Sequence, residues 1–218
     1  SMDKAKDLTP LKGEVHIDGA YTNYYIRPKN FRHKRIDRRK KRNQRPDKSC
    51  VLVFRQRAAN QAVMKGADRT IVALVKEENT DDILQLTQRL VKPYGRIHAD
   101  ENPAYDSLTF HYDLWRVNHS QEYCSIDGIT NNLAESFFAR LRRAITGVYH
   151  KMTNKYLMYY ANEMAWREDN RRKSVKKKFE QLLHCCLNTL PSHDFVGYWQ
   201  GNKKAEAVFG LASLTASN

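Results

Sequence analysis

The stretch Glu14-Val15-His16-Ile17-Asp18 alternates apolar and polar residues, with Val15 and Ile17 in one phase and His16 and Asp18 in the other. That period of two predicts a strand with one buried face and an aspartate at its end. A second run, Arg96-Ile97-His98-Ala99-Asp100, repeats the pattern, with Ile97 and Ala99 in one phase and His98 and Asp100 in the other. A third acid, Glu135, opens the helix-like run Asn132-Leu133-Ala134-Glu135-Ser136-Phe137-Phe138-Ala139-Arg140-Leu141-Arg142. Two aspartates at strand ends and a glutamate on a helix meet the needs of a two-metal phosphoryl-transfer site. Two divalent ions about 3.5–4 Å apart need shared carboxylates on rigid elements.

Charge indicates the substrate. Thirty-eight Lys and Arg against 24 Asp and Glu give a formal net charge of +14 in 218 residues. Such an excess points to a polyanion, and nucleic acid is the expected one. A hydrophobic fraction of 41% supports a real core. The four cysteines, Cys50, Cys124, Cys185 and Cys186, form no C-x-x-C pair, which argues against a zinc site and a disulfide framework. No apolar run reaches the ~18 residues of a membrane-spanning helix. No G-x-x-x-x-G-K-[ST] loop is present, which argues against nucleotide hydrolysis.

Further strands are expected at Cys50–Phe54, Thr70–Val75 and Leu114–Val117, which are rich in β-branched and aromatic residues. A helix is expected between an N-cap at Thr80 and the stop at Pro93 and Gly95. Beyond residue 131 three apolar stripes follow: Phe138, Leu141 and Ile145; Leu157, Tyr160, Ala161 and Met164 after a cap at Thr153; and Phe179, Leu182, Leu183 and Cys186. Strands, one intervening helix and then helices predict an α/β fold, a mixed five-stranded sheet flanked by helices with further helices at the C-terminal end. Residues 1–11 read as a tag remnant and lead-in, Ser1-Met2 being a cloning scar with room for a domain upstream. Residues 12–200 read as one catalytic domain and 201–218 as a loosely structured tail.

Between Arg27 and Lys48 twelve Lys and Arg face only Asp37 and Asp47. This basic insertion, 27–48, has too little apolar content to pack and reads as a backbone-binding arm or a solvated loop. Arg38, Arg39, Lys40, Lys41 and Arg42 are its densest part. Arg140, Arg142 and Arg143 offer a second basic surface; Arg142 lies two helical turns from Glu135 on nearly the same face. Tyr21, Tyr24 and Tyr25 are either stacking platforms or half-buried sheet residues. Asn132-x-x-Glu135 is also a capping-box pattern, so Asn132 is either a helix cap or part of the site. His119 and His150 are either phosphate contacts or structural histidines.

Val117-Asn118-His119-Ser120, Asn132-x-x-Glu135-Ser136-Phe137, Gly147-x-Tyr149-His150 and Asn162-Glu163-x-Ala165-Trp166-Arg167-x-x-Asn170-Arg171-Arg172 together resemble the DDE transposases of the IS1595 type, close to the ISXO2-like transposase domain. Merlin-type elements are similar. The resemblance covers roughly residues 12–185. It implies an RNase H-like fold, dependence on two Mg²⁺ or Mn²⁺ ions, and strand cleavage with joining at transposon ends. It places the three catalytic acids and metal ligands on Asp18, Asp100 and Glu135. Some relatives carry an asparagine in the third position, which keeps Asn132 a candidate ligand. The chain departs from the family after its first aspartate, where Gly19-Ala20-Tyr21 stands in place of a second acid or small polar residue. Family members often carry an N-terminal zinc ribbon or helix-turn-helix; neither is visible here.

The expected partner is therefore DNA, both transposon ends and target, bound by a homodimer or larger assembly. The expected location is the cytoplasm and nucleoid, or the nucleus in a eukaryote. An RNase H-like nuclease without joining activity and a domesticated DNA-binding protein are the rival readings. For the basic arm, replacing Arg38, Arg39, Lys40, Lys41 and Arg42 by Ala should weaken DNA binding similarly across sequences. It should also flatten the dependence of log affinity on log salt, each lost phosphate contact removing roughly 0.9 from the slope. An unchanged slope in a binding titration would place the DNA surface elsewhere.

Overall fold

The computed structural model describes residues 6–22, 30–37, 40, 48–60, 66–117, 131–150, 152–190, 196–201 and 206–215. Five strands form one sheet in the order β3-β2-β1-β4-β5. They are β1 (Glu14–Thr22), β2 (Ser49–Arg57), β3 (Ala67–Val75), β4 (Arg96–Asp100) and β5 (Asp113–Val117). β1, β2 and β3 pair antiparallel in sequence, while β4 joins β1, and β5 joins β4, in parallel. Among the described residues four α-helices complete the fold: α1 (Thr80–Leu90), α2 (Asn132–Ala144), α3 (Leu157–Asp169) and α4 (Val175–Leu187). This mixed sheet with flanking and C-terminal helices is the RNase H-like arrangement expected from the sequence.

Each sheet face has its own core. Val15, Ile17, Ile71, Ala73, Val75, Ile97 and Ala99 pack with Ile83, Leu86 and Leu90 of α1 on one side. Ala20, Val51, Val53, Val72 and Leu74 pack with Phe137, Phe138 and Leu141 of α2 and with Leu157, Ala161 and Ala165 of α3 on the other. β2 lies between β1 and β3 and is covered on both faces, which explains why Cys50-Val51-Leu52-Val53-Phe54 is continuously apolar and fully buried. Each such Val, Leu or Phe contributes about 1.5–3 kcal/mol by leaving water.

The helices are held over the sheet by a buried charge network. The β2 residue Arg55 is 1% exposed. Its guanidinium donates to Thr70 Oγ1 (3.3 Å), to the Leu133 carbonyl (2.6 Å), to Ser136 Oγ (3.0 Å) and to Glu168 Oε2 (3.3 Å). One side chain thereby joins β2, β3, the first turns of α2 and the end of α3. Arg140 of α2 donates to the same Glu168 oxygen.

The outer edge of β3 is closed by side chains, which keeps its free N–H groups from pairing with another chain. The Thr70 N–H donates to Asp169 Oδ2 at 2.9 Å and the Leu74 N–H to Ser213 Oγ at 3.1 Å. Ser213 lies in a 3-10 segment, Gly210–Leu214, whose Leu214 enters the first core. The chain after Gly201 is thus not uniformly loose, because this segment satisfies an edge donor.

Other expectations also change. β1 continues past Asp18 to Thr22, because its antiparallel pairing with β2 runs on to Thr22↔Ser49. The N-cap of α1 is Asn79, not Thr80; its side chain accepts from the Asp82 N–H at 2.8 Å and donates to the Asp82 carboxylate at 2.7 Å. Thr153 makes no side-chain cap; it precedes a 3-10 turn, Asn154–Tyr156, that leads into α3. The third apolar stripe is helical, as α4, but buries no residue: Phe179 is 63% exposed and Leu183 45%. Of the densest part of the basic arm only Lys40 is described, and it is exposed. Arg38, Arg39, Lys41, Arg42, Tyr24 and Tyr25 lie outside the described residues, and so does His119.

Removing one partner of a buried ion pair leaves an uncompensated charge. Glu168→Gln should cost about 3–5 kcal/mol, read as a thermal midpoint lower by roughly 10 °C. Burial pushes the neighbouring Asp169 carboxyl up from 3.8 to about 6, while the Thr70 side chain and N–H oppose the rise. The folded chain therefore holds that proton more tightly than the unfolded chain does. Its stabilising contribution is complete below pH 3.8 and is lost as pH rises through 6. The stability difference between wild type and Asp169→Asn should shift against the wild type as pH is raised across that window in denaturant titrations.

Candidate active site

Parallel pairing sets the site. β1 and β4 pair as Glu14↔Arg96, Val15↔Ile97 and His16↔His98. Continued by two residues, the same register brings Asp18 level with Asp100 on one face of the sheet. Each aspartate turns one oxygen to the next backbone N–H, Asp18 Oδ1 to Gly19 at 2.8 Å and Asp100 Oδ1 to Glu101 at 2.7 Å. The remaining carboxylate oxygen of each is thereby oriented by its own strand.

Asn131, 1% exposed, donates from Nδ2 to the Ile17 carbonyl at 3.4 Å, and its backbone carbonyl accepts from the N–H groups of Ala134 and Glu135. The first turn of α2 is therefore fixed above β1 beside Asp18. Glu135, one turn in, lines a cleft of about 520 Å³ with Asp18, Asn132, Ser136 and Arg142. Arg142 thus shares the cleft with Glu135, as the two-turn spacing predicts. A larger cavity of about 1000 Å³ lies between β3, α3 and α4 and is lined by none of the three acids. The smaller cleft is lined by two of the three acids, Asp18 and Glu135, and converging carboxylates rather than volume define a candidate cation site.

The electrostatics agree. Burial pushes the Asp18 carboxyl up to about 7, and the charges of Glu78, Asp100 and Glu135 add to the rise against the Gly19 N–H, which lowers it. A half-buried acid facing three other carboxylates is a site that favours a multivalent cation. The donors are hard oxygens, which suit Mg²⁺ or Mn²⁺. The three predicted acids are near neighbours without being in mutual contact. Among the described residues, the group of potential ligands whose atoms all lie within 4.8 Å of one another is Glu14, His16 and His98, two to four residues before the aspartates. Burial lowers both histidines, His16 to about 4.

Glu78 is the acid that sequence reasoning missed. It follows β3 and lies at the strand ends beside β1. Its carboxylate accepts from Asn102 Nδ2 at 2.7 Å and its N–H donates to the Tyr21 hydroxyl at 3.1 Å. A Cβ on Gly19 would stand 1.7 Å from Glu78 Oε1. The glycine that departs from the family pattern thus gives Glu78 access to the site. Its only sequence signal is its position in the turn between a buried strand and a capped helix.

The auxiliary residues divide. Asn132 is the exposed first residue of α2 and lines the cleft; the N-cap is Asn131, and no side-chain cap bond forms, so the capping box is absent. The helix starts one residue earlier than the pattern implied, because Asn131 is anchored to β1. Arg140 is partly committed to Glu168, and Arg143 is exposed and donates to the Ala139 carbonyl. His150 is exposed, has φ of 52°, and is not among the cleft-lining residues.

No helix among the described residues is long and apolar enough to cross a membrane. No curated protein and no solved structure matches the chain. A family model, that of the ISXO2-like transposase domain, matches residues 10–169. That span contains the whole sheet, α1 to α3 and all three acids, and on it the chain belongs to the ISXO2-like transposase domain family, a family of DNA transposases.

Proposed function

We propose that this domain cuts DNA strands at transposon ends and joins them to target DNA, with Asp18, Asp100 and Glu135 as its catalytic acids. The observation that carries the reading is the half-buried Asp18 carboxyl, brought level with Asp100 by the β1–β4 register and sharing a cleft with Glu135, with burial and the charges of Glu78, Asp100 and Glu135 pushing it up to about 7. Asp18 and Asp100 would hold one divalent ion, Mg²⁺ or Mn²⁺, and Glu135 would complete the site of a second. Bound there, the pair supplies activation of a water or a DNA 3′-OH and stabilisation of the leaving oxygen. The protein's own part is placement and charge. The sheet fixes two carboxylates in register, the Asn131 anchor fixes the third, and Arg142 offers a cation to a phosphate in the same cleft. Processing two ends together calls for two or more copies on DNA.

Asp100→Asn should leave the fold and DNA binding intact while abolishing Mg²⁺-dependent cleavage, because a carboxamide is a poorer ligand for a hard cation. Substantial cleavage by that variant would overturn the assignment. Arg142→Ala should lower the salt dependence of DNA binding by about one unit of log–log slope. It should not change the Mg²⁺ concentration needed for cleavage. A strand-transfer assay on end oligonucleotides separates transposase from nuclease: joined products are expected, and cutting without joining would favour the nuclease.

A further inference from the structure

Two residues before each aspartate, on the same sheet face, the strands carry His16 and His98. They are direct partners in the parallel register. Their rings stack with centroids 4.4 Å apart and planes inclined by 7°. Both are almost wholly buried, at 2% and 3% exposure, and all four ring nitrogens lack a hydrogen-bond partner. Each such orphan costs on the order of 1–3 kcal/mol. Glu14 Oε1 approaches His16 Nε2 to 3.4 Å and His98 Nε2 to 3.1 Å without hydrogen-bond alignment. A tetrahedral ion with bonds of about 2.0–2.1 Å places neighbouring ligand atoms roughly 3.3–3.4 Å apart. Two edges of such a polyhedron, from Glu14 to each histidine, therefore already match, and rotation of one imidazole about its Cβ–Cγ bond, out of the stack, turns its in-plane lone pair toward the same ion.

We propose that Glu14, His16 and His98 form a zinc site, separate from the acid cluster, that fastens the start of β1 to the start of β4. Two imidazoles and one carboxylate suit a borderline ion such as Zn²⁺, whereas Mg²⁺ prefers the all-oxygen cluster. Glu14 is 23% exposed, so the fourth position opens toward solvent and a water. Arg57 competes, donating to Glu14 Oε1 at 2.7 Å, but it is 43% exposed and free to turn into solvent. The site's role is structural. It holds the register that brings Asp18 level with Asp100 one pleat further on, and it does not depend on the catalytic reading of those acids.

The test uses the full chain, stripped with a chelator and titrated with Zn²⁺ in excess Mg²⁺, against a competing chromophoric chelator. One equivalent of zinc should remain bound, and the thermal midpoint should rise by on the order of 5 °C at zinc 100-fold above Kd. The doubly substituted Asp18→Asn, Asp100→Asn protein should bind zinc as the wild type does. His98→Gln should weaken zinc by more than the roughly 10–100-fold lost with an outer-shell partner. If His98→Gln fails to fold, the partly exposed Glu14→Gln serves in its place. Arg57→Ala should tighten zinc by removing the competing cation. No zinc-dependent shift in the wild type, equal binding in the His98 or Glu14 variant, or loss of binding in the double aspartate variant would each overturn the proposal.

Discussion

The guanidinium of Arg55 is the constraint on which the rest of the structure depends. A charged group 1% exposed must have every donor engaged, or the fold forfeits several kcal/mol. Its partners come from three elements far apart in sequence: Thr70, the first turns of α2 at Leu133 and Ser136, and Glu168 near the end of α3. An apolar contact in the same place would tolerate sliding. A fork of directed hydrogen bonds does not, so α2 sits at one height and rotation over the sheet. Glu135 stands two residues from Leu133 and inherits that placement. The network thus gives the helix-borne acid an accuracy that packing of Phe137 and Phe138 alone would not.

A second consequence concerns charge. The chain is strongly basic, yet the charges of Glu78, Asp100 and Glu135 all act on the Asp18 carboxyl. Burial is the largest cause of the rise of Asp18 to about 7, and the neighbouring charges, costly to bring together, add to it. The sheet enforces it: β1 and β4 are locked by pairing over Glu14–His16, and the opposite face is filled by Ile17, Ile97 and Ala99. Carboxylates held near one another on a packed sheet attract cations, which offset their mutual repulsion. The surrounding surplus of Lys and Arg, with Arg142 in the cleft itself, suits a polyanion brought to those cations.

The same logic explains the chain's outer parts. β3 is an edge strand, and its N–H groups at Thr70 and Leu74 are closed by Asp169 and Ser213 rather than by another strand. The Ser213 contact needs a segment nearly 140 residues away. By contrast α4, with an apolar stripe as good as those of α2 and α3, buries nothing. Amphipathic pattern establishes that a helix forms; whether its face is covered depends on what the chain brings against it.

By itself the sequence determined the elements and put Asp18 and Asp100 in one strand phase. Period-two alternation gave β4 to the residue and gave β1 with its aspartate phase, because one side of each strand must be apolar to meet a core. The helical stripes gave α2 and α3, and the motif set gave the family. What only the tertiary structure decided were relations between distant residues. Glu78 lies in an ordinary turn and joins the acids only because Gly19 leaves no side chain in its way. Asn131 rather than Asn132 holds the N-cap position of α2, because the Ile17 carbonyl is there to anchor it. Arg55 and Glu168 stand 113 residues apart and become partners only when folding brings them together in the interior. Local pattern is set by neighbours a few residues apart, whereas electrostatic partnership is set by through-space distance, which the order of residues does not contain.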